Sequence, residues 1–424
     1  VDLVYTVTLR DAGGNLAPAN NTITVSTTQG DITILAGAST GSISLDVQDD
    51  DIYRDGETVN NVITAIAETN ATQANSFESL TFSNTPVSSV ISDTVDTVTA
   101  TLSVDKTAVS EGAANITYTV TLTDALGNLV TAANAITVTT TQGIITIAAN
   151  ASSGTLGKAI QVDDVYVDGE TITNAITAIV EADAGNAGSL ENLVADNTAV
   201  STVVSDTLDA VTAVLTVSSN GVDEGAVDLV YTVELQDANG DPVIANNIVT
   251  VTTTLGVITI TAGDSSNTLT IPIQGDDAFI DAETVSNAIT AVVETNAGQA
   301  NSFENLGYNG TTLVTEISDT IDTVTLTLND LTVVEGSGTA QITASLDSAP
   351  QTELTIVLSN GATITFGPAY VAGTDVSSTA FAINNAEDLY LDSSSIALSV
   401  QSVTGGNFED LDSSDTATVT VGDT

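Results

Sequence analysis

Carboxylates in three short segments are the residues of this 424-residue chain whose types and spacing could bind a metal ion. Near the middle of the chain the segments read SEGA, VDDVYVDGE and SDTLD, and their acidic residues are Glu111, Asp163, Asp164, Asp168, Glu170, Asp206 and Asp209. Ca²⁺ takes about six to eight oxygen ligands from flexible loops, whereas Mg²⁺ prefers fewer protein ligands. Zinc and copper are poor candidates because the chain contains neither His nor Cys. If the fold brings the segments together, they predict a calcium site.

The chain is a tandem array, because the same segments return at a spacing of 113 residues. SDTVDTVTATLSV begins at Ser92, SDTLDAVTAVLTV at Ser205 and SDTIDTVTLTLND at Ser318. A fourth and more diverged copy begins near Asp322. Each copy is long enough to form a core of its own. The sequence therefore predicts four domains, with boundaries at 1–95, 96–208, 209–321 and 322–424.

Alternating apolar residues define the secondary structure of each repeat. In NITYTVTL, the residues Ile116, Tyr118, Val120 and Leu122 share one face and threonines occupy the other, which is a strand pattern. Six further runs of this kind predict seven strands, A to G, in the second repeat, with turn residues between them. This pattern predicts an all-β fold of four tandem immunoglobulin-like β-sandwich domains in an extended rod. The first repeat lacks strand A.

The predicted topology brings the acidic segments together. If strands A to G run up and down, the A–B, C–D and E–F loops and the end of strand G lie at one pole, where the next domain begins. The corresponding carboxylates of the third repeat are Glu224, Asp276, Asp277, Asp281, Glu283, Asp319 and Asp322. Those of the first repeat are Asp50, Asp51, Asp55, Glu57, Asp93 and Asp96, and those of the fourth are Glu335, Glu387, Asp388, Asp392 and Asp423.

Such a pole requires a cation. Two like charges about 4 Å apart repel by about 4 kcal/mol at an effective dielectric constant of about 20. We therefore expect Ca²⁺ between consecutive domains, with paired aspartates as ligands from the linkers: Asp93 and Asp96, Asp206 and Asp209, and Asp319 and Asp322. The simpler interpretation is that these residues cap turns or keep the surface soluble in salt.

The charge balance excludes several functions. Four Lys and Arg residues against 55 Asp and Glu residues give a formal net charge of −51. This balance excludes a general nucleic-acid binder and disfavours contact with anionic membranes. An enzyme is not expected either. The usual nucleophile triads need His or Cys, and a carboxylate pair for glycoside hydrolysis would need a substrate cleft.

VSEGAANITYTVTL, VDDVYVDGETITNAITAIVE and VSTVVSDTLD together resemble the Calx-beta pattern. The chain most resembles the tandem calcium-binding immunoglobulin-like extender repeats of giant bacterial RTX adhesins. The resemblance implies a spacer outside the cell, at the cell surface, that holds a ligand-binding tip and is rigid only with Ca²⁺. It implies type I secretion and, as partners, neighbouring repeats of one long chain. It also assigns calcium to the same carboxylates of the second repeat.

Two alternatives remain open at this stage. The diverged fourth repeat carries the aromatic residues Phe366, Tyr370, Phe381 and Tyr390, and it could bind a glycan, ice or a protein, although core packing explains the rings as well. The chain could instead be the protomer of an extracellular filament, in which other copies supply the missing first strand by strand addition.

Overall fold

The computed structural model describes residues 2–69, 71, 74–386 and 389–423. Within these ranges the chain forms 38 β-strands and no helix, so the predicted all-β class is confirmed. The first repeat contains β1 (Leu3–Thr8), β2 (Ile23–Thr27), β3 (Gly30–Ile34), β4 (Thr40–Leu45), β5 (Glu57–Asn61), β6 (Ile63–Glu68) and β7 (Val87–Ile91). The second contains β8 (Thr97–Val104), β9 (Ala108–Ser110), β10 (Ile116–Thr123), β11 (Ile136–Thr140), β12 (Gly143–Ile147), β13 (Ser153–Lys158), β14 (Glu170–Asn174), β15 (Ile176–Glu181), β16 (Asn192–Ala195) and β17 (Val200–Ser205).

The remaining two repeats continue the series. The third contains β18 (Ala210–Val217), β19 (Gly221–Asp223), β20 (Leu229–Gln236), β21 (Val249–Thr253), β22 (Val257–Ile260), β23 (Ser266–Ile271), β24 (Glu283–Asn287), β25 (Ile289–Glu294), β26 (Asn305–Tyr308) and β27 (Leu313–Ser318). The fourth contains β28 (Thr323–Leu328), β29 (Leu331–Val334), β30 (Thr339–Ala340), β31 (Thr343–Leu346), β32 (Leu354–Leu358), β33 (Thr363–Phe366), β34 (Val376–Ser377), β35 (Phe381–Ala382), β36 (Ser394–Thr404), β37 (Asp410–Asp412) and β38 (Thr416–Gly422).

The chain divides into two compact units. Unit 1 comprises Val1–Asp163 and Gly169–Thr207, and unit 2 comprises Asp164–Asp168 and Leu208–Thr424. Unit 1 contains the separate apolar cores of the first and second repeats. Unit 2 contains those of the third and fourth. No helix long and apolar enough to cross a lipid bilayer occurs within the described ranges.

The second repeat shows the sandwich most clearly. One sheet has the strand order β13-β10-β8-β16, and opposite it lie β12-β11-β15 and β14-β17-β9. Strand β10 is antiparallel to both neighbours, and Tyr118 faces Val104 on one side and Leu156 on the other. Ile116, Tyr118 and the next two alternate residues are fully buried, as their spacing predicts. The third repeat has the same strand order.

Two details of the second repeat differ from the sequence pattern. The apolar run at Thr171 is two strands, because Asn174 ends β14, and β14 and β15 pair with different strands. The buried Asn174 amide oxygen accepts hydrogen bonds from the Thr141 hydroxyl and the Gln142 N–H. The strands β9 and β16 are only three and four residues long and pair in parallel. Such short strands carry too few alternations to be recognised from sequence.

The aromatic residues of the fourth repeat serve mainly in packing. Phe366 and Phe381 are buried in its core. The Tyr370 ring meets Phe366 edge-on at a centroid distance of 5.0 Å, and its hydroxyl donates to the Leu346 carbonyl at 3.1 Å. Core packing, expected as one of two roles, is thus observed for these three rings. Tyr390 differs, because it is 77% exposed.

The first repeat has a groove beside β1. Strand β1 pairs with β4. Among the described residues no strand pairs with its other edge, although β8 occupies the corresponding edge of β10. A cavity of about 390 Å³ lies there, lined by β1 and by apolar side chains that include Ile32, Ile66 and Phe82. Its wall therefore resembles a sandwich interior more than an outer surface.

Candidate metal centre

The third repeat brings three predicted carboxylates together. Carboxylate oxygens of Glu224, Asp281 and Asp319 all lie within 4.8 Å of one another. Glu224 follows β19, Asp281 precedes β24 and Asp319 follows β27, so each comes from a different acidic segment. Glu224 is only 3% exposed. The convergence expected from the topology thus occurs for these three residues.

The glycine after the glutamate permits the close approach of this segment to the acidic loop. Gly225 has a φ of +69°, a backbone conformation that other residues rarely adopt. A Cβ atom at this position would lie 2.7 Å from Cβ of Asp276. Gly112 in the second repeat has a φ of +66°, and its Cβ would lie 2.8 Å from Cβ of Asp163. The Glu-Gly pair therefore lets the glutamate and the acidic loop lie side by side.

The threonine of the SDT segment connects the acidic segments. In the third repeat the Thr320 N–H donates to Glu224 at 3.0 Å, and the Thr320 hydroxyl donates to Asp276 at 2.5 Å. The Asp281 N–H donates to Asp319 at 3.2 Å, and the Gln274 amide donates to Asp281 at 3.0 Å. These contacts fix the carboxylates in place but bring no positive charge to them.

Unit 1 repeats this arrangement in the second repeat. The Thr207 N–H donates to Glu111 at 2.7 Å and the Thr207 hydroxyl donates to Asp163 at 2.6 Å. Glu111 is 3% exposed, and its Oε2 is buried without a hydrogen-bond donor among the described residues. Asp206 packs against Gly169, whose Cβ would lie 3.1 Å from the Asp206 Oδ1 atom. A buried carboxylate oxygen without a donor is costly unless a cation compensates it.

The fourth repeat has a cluster of the same kind. Carboxylate oxygens of Glu335, Asp392 and Asp423 lie within 4.8 Å of one another. The Asp392 N–H also donates to Asp423 at 2.9 Å. The other two carboxylates predicted for this repeat, Glu387 and Asp388, lie outside the described residues.

The first repeat has the acidic loop without a strand-A glutamate. Asp50, Asp51, Asp55 and Asp93 line one cavity of about 430 Å³, and Glu191 of the second repeat lines it as well. The Thr94 hydroxyl donates to Asp50. Burial and the nearby charges of Asp51 and Asp93 raise the pKa of Asp55, although the Gln48 amide opposes this shift. The carboxylates are thus close enough to repel one another.

The remaining predicted residues have other visible contacts. Glu57, Glu170 and Glu283 are exposed, and each begins the strand that pairs with the last strand of its repeat. The second aspartate of each loop accepts the N–H of the aromatic residue two positions later, as Asp51 does from Tyr53 at 2.7 Å. The other two pairs are Asp164 with Tyr166, in unit 2, and Asp277 with Phe279. These carboxylates therefore shape the loop, and their role as ligands remains a prediction.

A glutamate of the second, third and fourth repeats that was not among the predicted ligands accepts a hydrogen bond from a linker aspartate. Asp96, Asp209 and Asp322, three of the predicted linker ligands, donate their backbone N–H groups to Glu191, Glu304 and Glu409 at 2.7, 2.6 and 2.7 Å. Each glutamate follows Leu or Phe in the recurring triplets SLE, SFE and NFE. This recurrence is visible in the sequence, but nothing in the triplets themselves indicates that the glutamate meets a linker aspartate.

Like charges dominate the cluster around Glu409. The Asp322 N–H lowers the pKa of Glu409, but burial and the carboxylates of Glu224 and Asp319 outweigh it, so the pKa is raised. Within the described residues the only ion pair joins Lys106 to Asp105, at 3.9 Å and on the surface. Within the part of the chain that the structure describes, these carboxylates therefore have no ion pair with Lys or Arg.

The raised pKa of Glu409 predicts a pH dependence in the absence of divalent cations. A raised folded-state pKa means that the folded protein binds this proton more tightly than the unfolded chain does. Protonated Glu409 therefore contributes to the stability of the fold below the pKa of glutamate in the unfolded chain, which is about 4.3. This contribution is lost as the pH rises through the raised pKa of Glu409 in the folded protein. Relative to E409Q, which keeps the acceptor for the Asp322 N–H, the wild type should become less stable between pH 4 and 7.

Differential scanning calorimetry in chelator would measure this difference. The control is E353Q, because Glu353 is exposed and lies outside the cluster. Parallel stability curves for the wild type and E409Q would contradict the prediction.

Comparison with known proteins identifies the repeats. A family model described as the LapA domain matches residues 2–94, 96–207, 209–320 and 322–424. Among solved structures, the chain is similar to CBD12 from CALX1.2, with 8% identity, coverage of 49% of this chain and 99% of that chain, and a TM-score of 0.20. It is also similar to domains 4–9 of the surface layer protein SbsC, with 13% identity, coverage of 97% and 60%, and a TM-score of 0.19.

A third similar structure is the BSP domain of a biofilm associated protein, with 11% identity, coverage of 99% and 85%, and a TM-score of 0.15. No curated protein matches the chain. The family match covers nearly every residue and confirms the resemblance found in the sequence. The chain is a series of four LapA domains and belongs to this family of adhesin extender domains.

Proposed function

We propose that this adhesin repeat region is an extracellular spacer at the cell surface, stiffened by Ca²⁺ bound where one repeat meets the next. In this role the repeats hold a distal ligand-binding part of the adhesin away from the cell. The repeated carboxylates serve structure rather than catalysis, because a similar cluster recurs from one domain to the next. Length and stiffness are the properties that such a chain provides.

The convergence of carboxylates around a buried glutamate carries this proposal. Glu111 and Glu224 are each 3% exposed. A carboxylate oxygen of Asp206 lies within 4.8 Å of Glu111, and those of Asp281 and Asp319 lie within 4.8 Å of Glu224. No Lys or Arg forms an ion pair with either glutamate in the described part of the chain. The donor set consists of oxygens alone, which suits Ca²⁺ and not zinc or copper. The residues present therefore fit a calcium ion.

The third and fourth repeats show how such an ion would act on a junction. Glu224, Asp281 and Asp319 of the third repeat would hold Ca²⁺, and it would neutralise their mutual repulsion. Glu409 belongs to the fourth repeat, yet its pKa responds to the charge of Glu224. One cation would thus act on charges from both repeats and oppose their separation.

Removal of the third-repeat cluster tests the calcium site. In E224Q/D281N/D319N we expect loss of the Ca²⁺ bound at this junction and higher stability than the wild type in chelator, because the repulsion is gone. The wild type should gain about 2.7 kcal/mol when free Ca²⁺ reaches about 100 times its Kd. Isothermal titration calorimetry and scanning calorimetry would measure both effects.

The control for this experiment is D228N/D264N/E316Q, which removes three exposed carboxylates of the same repeat. It changes the net charge equally and should bind Ca²⁺ as the wild type does. If E224Q/D281N/D319N and the control bind the same number of ions with equal affinity, the carboxylates of this cluster are not calcium ligands.

Strand addition between copies is a second candidate function, favoured by the groove beside β1. The groove matches a strand such as β8, whose Val98, Ala100 and Leu102 face the core of the second repeat. We expect such a strand to lie antiparallel to β1, with the counterpart of Val104 opposite Tyr5, as Val104 lies opposite Tyr118. A neighbouring copy that supplied this strand would extend a filament.

A synthetic peptide with the sequence of residues 96–105 tests this second candidate. Its binding should slow amide hydrogen exchange along β1. A control peptide with serine in place of Val98, Ala100 and Leu102 should have no effect, because it has no apolar face to fill the groove. Equal exchange of β1 with both peptides would contradict strand addition.

A further inference from the structure

In the first three repeats the acidic loop carries, beside the carboxylates, a short segment that packs against the next repeat, and the fourth repeat has a corresponding segment. We call residues 52–54, 165–167, 278–280 and 389–391 the docking loops, and residues 76–78, 189–191, 302–304 and 407–409 the acceptor triplets. In unit 1, Ile52 and Tyr53 pack against the core of the second repeat. In unit 2, Val165 and Tyr166 pack against the core of the third repeat, and Ala278 and Phe279 against that of the fourth.

The first three docking loops make the same backbone ladder. Tyr53, Tyr166 and Phe279 form antiparallel bridges with Leu190, Phe303 and Phe408, respectively. The residue after each aromatic donates its N–H to the acceptor triplet: Arg54 to Ser189 at 2.8 Å, Val167 to Ser302 at 2.8 Å and Ile280 to Asn407 at 3.2 Å. The glutamate of each triplet donates its N–H to the first loop residue at 3.1 Å in all three cases.

Side chains reinforce this ladder. Tyr166 stacks on Phe303 and Phe279 stacks on Phe408, each with a centroid distance of 5.5 Å. The hydroxyls of Tyr53 and Tyr166 each donate to a backbone carbonyl of the receiving repeat at 2.6 Å, that of Thr131 and that of Ile244. The third position of the docking loop tolerates different kinds of side chain, since it is Arg, Val or Ile in the first three loops.

The fourth docking loop has the same composition but a different environment. In this loop Leu389 is 98%, Tyr390 77% and Leu391 93% exposed, whereas the apolar residue and the aromatic that begin each of the other three loops are half-buried. A large apolar side chain as exposed as that of Leu389 is unfavourable in water unless another surface covers it. The loop follows the pattern of the others, with the aromatic in the middle and an aspartate, Asp392, after the third residue.

We infer that Leu389 and Tyr390 form a docking site for a further LapA-type sandwich that presents an acceptor triplet of Ser or Asn, then Phe or Leu, then Glu. The partner's chemistry follows from the three internal contacts, which combine an apolar pocket with exposed backbone groups for the ladder. Where Ile52 and Tyr53 pack, Leu190 and Glu191 of the acceptor triplet are buried, whereas in the triplet Ser76-Phe77-Glu78 Phe77 is half-buried and Glu78 exposed. This inference goes beyond the calcium site, because none of these contacts involves a metal.

A fusion tests this docking site on the full chain. A second copy of residues 95–207, the second repeat, is attached directly after Thr424. It then follows the end of the fourth repeat in the same way as the second repeat follows Thr94 in the chain. Leu391 is the counterpart of Arg54, Val167 and Ile280. We expect its N–H to exchange at least about tenfold more slowly in the fusion than in the 424-residue chain. Hydrogen-exchange mass spectrometry measures this on peptides unique to the fourth repeat.

Two variants of the fusion separate docking from general crowding. L389S/Y390S should abolish the protection, because these positions supply the buried apolar side chains. L391R should retain it, because Arg54 occupies the third position of a docked loop. Equal exchange in the fusion and the unfused chain, or protection that survives L389S/Y390S, would overturn the inference.

The internal loop provides a test that does not depend on folding of the added repeat. In the unfused chain, I52S/Y53S should speed exchange at Arg54, and an unchanged rate would overturn the inference. Each measurement is made with Ca²⁺ and with chelator, so failure of the calcium proposal can be distinguished from failure of docking. Sedimentation velocity of the unfused chain tests whether a second copy of the chain binds this docking site instead. If the unfused chain self-associates and L389S/Y390S abolishes the association, the assignment of the site to a further repeat is overturned.

Discussion

Repulsion among clustered carboxylates, with which no Lys or Arg forms an ion pair in the described part of the chain, is the main constraint on the acidic poles of the repeats. The chain has 55 acidic and four basic residues, and its one ion pair within the described ranges is on the surface. The buried Glu111 and Glu224 make this repulsion costly in the folded state. A divalent cation would convert the same groups from a source of instability into a link between segments that are far apart in the sequence.

The acidic loop combines two kinds of contact in one short stretch. In the first three repeats the aspartates flank an apolar residue and an aromatic, and these two residues pack against the core of the next repeat. Asp277 accepts the Phe279 N–H and so turns the loop toward the acceptor triplet. The aromatic contact buries apolar surface between consecutive repeats, and under the proposed function the carboxylates beside it would make this contact responsive to cations.

Repetition made much of this architecture predictable from sequence. The alternation at Ile116 to Leu122 indicated the strands, and the spacing of 113 residues indicated that Glu224, Asp281 and Asp319 have counterparts elsewhere. The break at Asn174 was not predictable, because a buried amide that accepts hydrogen bonds from a distant turn has no local signature. Glu409 was missed for a similar reason: its partner, the Asp322 N–H, lies 87 residues earlier, and only the folded chain brings them together.

Small-angle X-ray scattering of the whole chain tests the central claim most directly, with millimolar Ca²⁺, then with excess chelator, then with Mg²⁺. Strands of about eight residues at about 3.3 Å each, with their loops, lead us to expect a maximum dimension of about 150 Å for four calcium-stiffened repeats in a row. Chelation should convert this particle to a flexible ensemble that Mg²⁺ does not restore. A scattering profile that is the same in all three conditions would contradict the account.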